Sequence, residues 1–431
     1  MSRVPRQPLP GVVTHLLSQA LGRHVMPGHL WSGVVGSADW VPADQGMRVS
    51  RDLQGTKSLL NNWLASGGLM FEADRRNFMT VSGVALTTPA WQYLDHLKNV
   101  PPTGMFDEIL GSSRFSAAKV SPALLEYFWT LIGAFRRMDD LEGGRPENLN
   151  QVGVALHQIA GYLKSGTFSV KGAAKELMSV FAQVAQIGGW MAFDAGRHGL
   201  AQRYFLAGLQ AAQNIGDADL GSHILACMSY HAVERNQLQE GNELADAAVR
   251  AARATHPLVR TIVTTRVAHA RAASGDLHEF ESATDEAAGL LEQSRQMGGG
   301  PEYLYWFDSA LANAVQGQAL VMYTLQASRG NAALIGRAES LLERSIAEQA
   351  AAPRDAMLFG AWLARAHAKR GDLHRGLDLA ATALRRAPSV ASQRSRKVLF
   401  DLDKDLANLR SDRNLPEVRE LRKQLRPALA A

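Results

Sequence analysis

His223 and His231 stand eight residues apart, a spacing that invites a chemical reading. On a helix the two imidazoles share a face, where they could hold a metal ion. A zinc site needs more, either His-Glu-x-x-His or a cysteine cluster. None of the 13 histidines has such spacing, so His223 and His231 read as satisfied or groove-lining residues. Asp139, Asp140 and Glu142 bring carboxylates together, as acid/base catalysis requires. Arg136 and Arg137 lie beside them, which points to local ion pairing instead. Cys227, between Ala226 and Met228, reads as a buried structural thiol rather than a nucleophile. Gly298-Gly299-Gly300 precedes Pro301 and follows no strand, so it is a linker and not a phosphate cradle, and no Gly-x-x-x-x-Gly-Lys-Ser/Thr loop exists. No nucleophile–base constellation can be named. The expectation is a protein that is no enzyme and uses no metal or cofactor.

The elements that carry these residues repeat. Gly275-Asp276-Leu277-His278 returns as Gly371-Asp372-Leu373-His374, each followed by small or apolar residues at helical spacing: Phe280, Ala283, Ala287 and Gly376, Leu379, Ala383. Looser copies start at Gly196 and Asn236, steps of 40 (236 − 196) and 39 (275 − 236). A period of this size signals stacked helical pairs, because one pair cannot bury its own apolar face. Ser121-Pro122 opens a helix, a capping serine followed by proline at the first helical position. It carries Leu124, Leu125, Phe128, Leu131, Ile132 and Phe135 on one face. A helix over 148–163 follows. Pairs are predicted at 173–193 with 199–214, 218–234 with 238–253, 257–273 with 277–295, 302–328 with 332–350, and 354–369 with 373–387. Breakers such as Gly216-Asp217, Pro257, Gly330 and Pro353 separate them. Helices over 390–410 and 416–425 close the array. Strand signals are weak throughout.

Length and charge bound the function. The 431 residues leave room for two or three domains, and the net charge of +5 is too small to argue nucleic-acid binding. Between Arg385 and Arg426 there are twelve Lys/Arg against six Asp/Glu. This stretch reads as a solvated face on the last helices, with direct nucleic-acid binding through Arg394, Arg396 and Lys397 as a weaker rival. A single cysteine forbids an internal disulfide and fits a reducing cytoplasm. Arg75-Arg76-Asn77-Phe78-Met79 mimics a twin-arginine export signal, but it lies too deep in the chain, and Trp91-Gln92-Tyr93-Leu94 continues its periodicity. It reads as an internal packed segment. No stretch reaches the ~20 apolar residues of a membrane span.

The glycine spacing resembles the tetratricopeptide repeat. Aligning the turn at Gly196 places Gly189 on the small position of the first helix, and Ala201 and Phe205 on the second. A closer resemblance runs through Gly188-Gly189-Trp190-Met191-Ala192-Phe193-Asp194-Ala195-Gly196-Arg197-His198-Gly199-Leu200-Ala201-Gln202-Arg203-Tyr204-Phe205. This run looks like a signature of streptomycete regulators that carry a helix-turn-helix domain followed by tetratricopeptide repeats. Arg136 to Asp140, Ala226 to Tyr230 and Pro8 to Leu30 are similar to the same family. The resemblance implies an all-α fold, a right-handed α-solenoid with a small, mostly helical N-terminal region. It divides the chain into 1–35 (the closing segment of a helix-turn-helix-type domain), 36–120 (an irregular and helical linker region), 121–410 (the repeat solenoid) and 411–431 (a capping helix and tail). It also implies a cytoplasmic transcriptional regulator linked to development or secondary metabolism. The helices that would precede residues 1–35 in such regulators are missing, so either the start lies further upstream or DNA binding has been lost.

In such a fold the concave face binds. Counting back from each turn predicts Gln183, Gln186, Trp190, Phe193 and Asp194 in the first clear pair, and His223, Tyr230 and Glu234 in the second. The third contributes Arg266 and His269, and the last contributes Trp362 and Arg365. Aromatic anchors beside polar groups suit an extended peptide or a partner helix. Trp190 and Trp362 suit inter-repeat core equally well, and Tyr303, Tyr305, Trp306 and Phe307 read as core packing. The expected partner is a protein or peptide ligand in the groove, with DNA reached only indirectly or through the missing domain, and a homodimer is compatible with two-fold operators. A stand-alone adaptor without any DNA role is the alternative.

Overall fold

A computed structural model describes residue 60 and residues 80–97, 119–168, 170–326, 332–348, 353–387, 390–409 and 412–430. The expectations for residues 1–35, the loop over 32–55 and the arginine pair at 75–76 lie outside the described residues. Fifteen α-helices and one parallel pairing of two-residue strands, Lys119–Val120 with Thr167–Phe168, make up the regular structure among them. The protein is an all-α helical repeat.

The helices are α1 (Val84–Leu97), α2 (Pro122–Glu142) and α3 (Pro146–Ser165), then the pairs α4 (Ala173–Asp194) with α5 (His198–Ile215), α6 (Ala218–Glu234) with α7 (Leu238–Ala251), and α8 (Pro257–Ala273) with α9 (Leu277–Met297). The pairs α10 (Ser309–Gln326) with α11 (Ala332–Glu348) and α12 (Pro353–Arg370) with α13 (Leu373–Arg386) follow. The chain closes with α14 (Gln393–Ala407) and α15 (Pro416–Ala430).

The turns explain the period. Gly196, Gly216, Asn236, Gly275 and Gly371 all adopt positive φ, between 60° and 90°. Only glycine or a short polar residue enters that region cheaply. At each turn the following residue's N–H reaches back to a carbonyl five positions earlier, as Asp276 does to Arg271 at 2.9 Å, which satisfies an orphan carbonyl of the ending helix. The aspartate then caps the next helix: Asp217 accepts from the Leu220 N–H and Asp276 from the Glu279 N–H. Gly-Asp thus stops one helix and starts its partner. Ser121 caps α2 in the same way, through the Leu124 N–H.

Packing within a pair depends on small residues at the crossing. A Cβ at Gly189 would enter the ring of Phe205, so the glycine lets α5 seat its phenylalanine against α4, as the spacing predicts. Phe181, Tyr204 and Phe205 are fully buried there. Each such ring is worth about 2–3 kcal/mol of burial. The segment containing Trp91 is indeed packed: Tyr93 is buried and its hydroxyl donates to the Asp217 carbonyl at 3.3 Å, while Gln202 exchanges two hydrogen bonds with the Val81 backbone.

Two expectations are corrected. Helix α10 does not start at 302: residues 302–304 form one 3-10 turn, and Asp308 caps a helix that begins at Ser309, accepting from the Leu311 N–H at 2.9 Å. The groove expected on the concave side is narrowed by closure of the array. The first helix of each pair packs on the first helix of the next, from α6 through α8, α10 and α12 to α14, and α14 returns to α4. There Ser392 and Arg394 bond Asp194. Helix α12 likewise meets α2 through Arg354 and Asp139. The array closes on itself because α14 brings the Arg394 cation and, at its N-cap, the Ser392 hydroxyl to the buried Asp194.

Candidate functional site

The closure forms a half-open cavity of about 390 Å³. Its wall is built by helix ends and by the segment after the glycine linker. Gln186, Trp190 and Asp194 are four residues apart, so they form one inward stripe on α4. Tyr230 comes from α6, Arg266 from α8, Phe359 from α12 and Arg394 from α14. Tyr303, Tyr305 and Trp306 add an aromatic rim, fixed by the Trp306 indole donating to the Tyr303 carbonyl at 2.9 Å.

The aromatic groups form a shelf of two ring clusters. Trp190 lies 5.7 Å from Tyr230 and from Phe193, ring to ring. Tyr303 stacks on His223 at 5.5 Å. Such faces favour flat ligands and cations alike.

Four arginines face this shelf, and three are matched. Arg394 donates to Asp194 at 3.3 Å and to the Tyr230 hydroxyl at 3.3 Å. Arg354 donates to the Asp139 carboxylate at 3.2 Å and to its backbone carbonyl at 2.8 Å. Arg136 bridges Gln183 at 2.9 Å and Glu302 at 3.0 Å. Among the described residues Arg266 has only ring faces, its guanidinium 4.2 Å over Tyr230 and 5.9 Å over Trp190. Burial pulls its pKa below the ordinary arginine value, with the Tyr230 and Cys227 side chains opposing that effect. Burial also pushes the Asp139 carboxyl up to about 6, against the favourable charge of Arg354.

The predicted site residues divide into three groups. Gln186, Trp190, Asp194, Tyr230 and Arg266 line the cavity. Gln183, Phe193, His223, Glu234 and His269 stand behind the wall and hold it. Gln183 fixes Arg136, and Phe193 packs under the Arg394 guanidinium at 5.7 Å. Glu234 accepts from Gln318 at 2.8 Å and lies 3.4 Å from His269, whose ring supports Tyr230 at 4.7 Å. Trp362 and Arg365 are not at the cavity. Helix α14 covers that face of α12, so Arg365 pairs with Asp405 at 2.7 Å and its guanidinium lies 5.1 Å over the buried Trp362.

Other pairings also differ from expectation. Asp139, Asp140 and Arg136 are not a local ion cluster. Their partners are Arg354, the Tyr305 hydroxyl (which donates to Asp140 at 2.6 Å) and Glu302, each more than 160 residues away. Arg394 is not on a solvated face but inside the wall, whereas Lys397 pairs with Asp401 on the helix surface. Tyr303 and Phe307 are buried, as core packing requires, while Tyr305 is half exposed on the rim. His223 and His231 do not meet: His231 contacts His198 at 3.2 Å. Among the described residues no group of three or more metal-ligating side chains is formed. Cys227 is buried beneath Trp190, whose indole donates to its sulfur at 3.3 Å. No local signal marks Arg136, Arg354 and Arg394 as wall residues, because only closure brings them together.

A second depression, of about 640 Å³, lies at Trp129, Glu176 and Asp217. It is open, and its indole is already bonded to Glu176 at 2.8 Å. The chain matches no family model, no curated protein and no solved structure. No described helix is long and apolar enough to cross a membrane.

Proposed function

We propose that this chain is the sensor part of a tetratricopeptide-type transcriptional regulator and that its half-open cavity holds the signal. The observation that carries the reading is the cavity itself: aromatic rings with polar groups converging on them, lined from seven helices, with Arg394 of the closing α14 on its wall. The resemblance of residues 188–205 to the streptomycete regulators supplies the regulatory half of the reading. Size favours a small ligand. One turn of a helix about 10 Å wide and 5.4 Å long fills roughly 400 Å³, so the cavity of about 390 Å³ holds at most the volume of a single turn. Binding would act through the closure, since Trp190, Asp194, Tyr230 and Arg394 both line the cavity and join α14 to α4 and α6.

The test is genetic. Deleting the gene in its host should change a defined set of transcripts. Wild-type protein should restore them, and a Trp190→Ala/Tyr230→Ala variant that still folds should not. An unchanged transcript profile on deletion would remove the regulator reading and leave the stand-alone adaptor. Full restoration by the variant would remove the cavity from the mechanism.

A further inference from the structure

Arg266 is 5 % exposed, and its Nη1 is fully shielded with no hydrogen-bond partner. Among the described residues no carboxylate pairs with its guanidinium. An unpaired buried charge is strongly unfavourable, and stacking on Tyr230 and Trp190 offsets only part of that. The nearby acids are engaged, Asp194 through Oδ1 while its buried Oδ2 has no hydrogen-bond partner. Asp194 and Asp139 hold Arg394 and Arg354, Asp140 accepts from Tyr305, and Asp308 caps α10. Asp355 lies 3.7 Å from Arg354 and 4.0 Å from Arg394. Glu234 stands behind Tyr230 and is bonded to Gln318.

Resting on the reading of the cavity as a ligand site, we propose that its ligand is a small aromatic carboxylate whose carboxylate pairs with Arg266. One guanidinium without an ion-pair partner matches the single negative charge of a carboxylate. A phosphate dianion would meet the aspartates of the same wall with no second free cation among the described lining residues. The paired rings of Trp190 and Tyr230, with the Tyr303 ring on the same wall, take the flat body. At ~30 Å³ per water the cavity has room for about a dozen non-hydrogen atoms, the size of a two-ring aromatic acid.

The test uses the full chain and three probes of one shape: 2-naphthoate, 2-naphthamide and 2-naphthylmethylammonium, followed by calorimetry and tryptophan fluorescence. The acid should bind at least about tenfold more tightly than the amide or the amine, the discrimination expected of a charge-assisted pair. Arg266→Gln should abolish that preference while leaving amide binding in place. Melting supplies a second measurement. Removing an unpaired buried charge should leave the melting temperature of Arg266→Gln equal or higher, whereas a fall of several degrees would make Arg266 structural and overturn the proposal. Equal binding of acid and amide, preference for the amine, or no binding of the acid at millimolar concentration would also overturn it. Amide or amine binding would leave the cavity a ligand site with another chemistry. Unaltered transcripts in the deletion strain would remove the regulator and leave the anion site.

Discussion

The Ser392 hydroxyl donates a 2.8 Å hydrogen bond to Asp194 Oδ1, joining two residues 198 positions apart. The same oxygen accepts from Arg394 Nε, and Asp194 is only 2 % exposed. Asp194→Ala leaves the Arg394 charge with the more distant Asp355. The expected loss is about 3 kcal/mol by urea unfolding, against about 1 kcal/mol for Ser392→Ala. Exchange of α14 amides should quicken in Asp194→Ala while that of α8 amides stays slow. Equal protection of both helices would mean that this contact does not hold the closure.

Glycine positions separate crowding from propensity. Gly189→Ala drives a methyl into Phe205 and should destabilise by about 1–3 kcal/mol. Gly289 sits inside α9, exposed, with nothing within 4 Å of where an alanine methyl would point. Gly289→Ala should therefore stabilise by about 0.5–1 kcal/mol through helix propensity alone. Denaturation midpoints of the two variants moving in the same direction would refute the assignment of Gly189 to the helix crossing.

What sequence makes legible is local. Gly275-Asp276 and Gly371-Asp372 announce turns because a left-handed residue and a helix cap are demanded within two positions, and both demands have a residue signature. The inward stripe of Gln186, Trp190 and Asp194 follows from counting along a helix. Arg394, Arg354 and Arg136 do not, because their partners are fixed by where the two ends of the array meet. A repeat states which neighbours stack but not whether the last reaches the first. For the same reason Trp362 and Arg365, at positions equivalent to cavity residues in earlier pairs, fall outside the cavity: α14 covers them.

Cys227 offers a direct probe of local opening. Burial pushes its thiol up to about 11, with Arg266 and the Trp190 and Gln186 hydrogen bonds opposing. It should resist a thiol reagent at pH 8 under native conditions and react fully once unfolded. Reaction at the rate of a free thiol in the native protein would show that the α4–α6 interface opens readily.

Acid stability tests the buried histidines. Burial lowers His223 and His231 to about 3, with Arg266 adding to the shift of the first and His198 and Arg235 to that of the second. The unfolded chain takes up protons at these residues below about pH 6.5 while the folded chain does not, so stability falls as pH drops through that window. Each contributes a loss on the order of 2 kcal/mol at pH 5. Asp139 acts in the opposite sense. With its carboxyl near 6, the folded state binds a proton that the unfolded state refuses until about pH 4, a gain on the order of 1 kcal/mol at pH 5. Two histidines outweigh one aspartate, so urea midpoints should be lower at pH 5 than at pH 7.5. Asp139→Asn should steepen that loss and His231→Asn should flatten it. A midpoint that rises on acidification would mean that His223 and His231 accept protons in the folded protein, contrary to their burial.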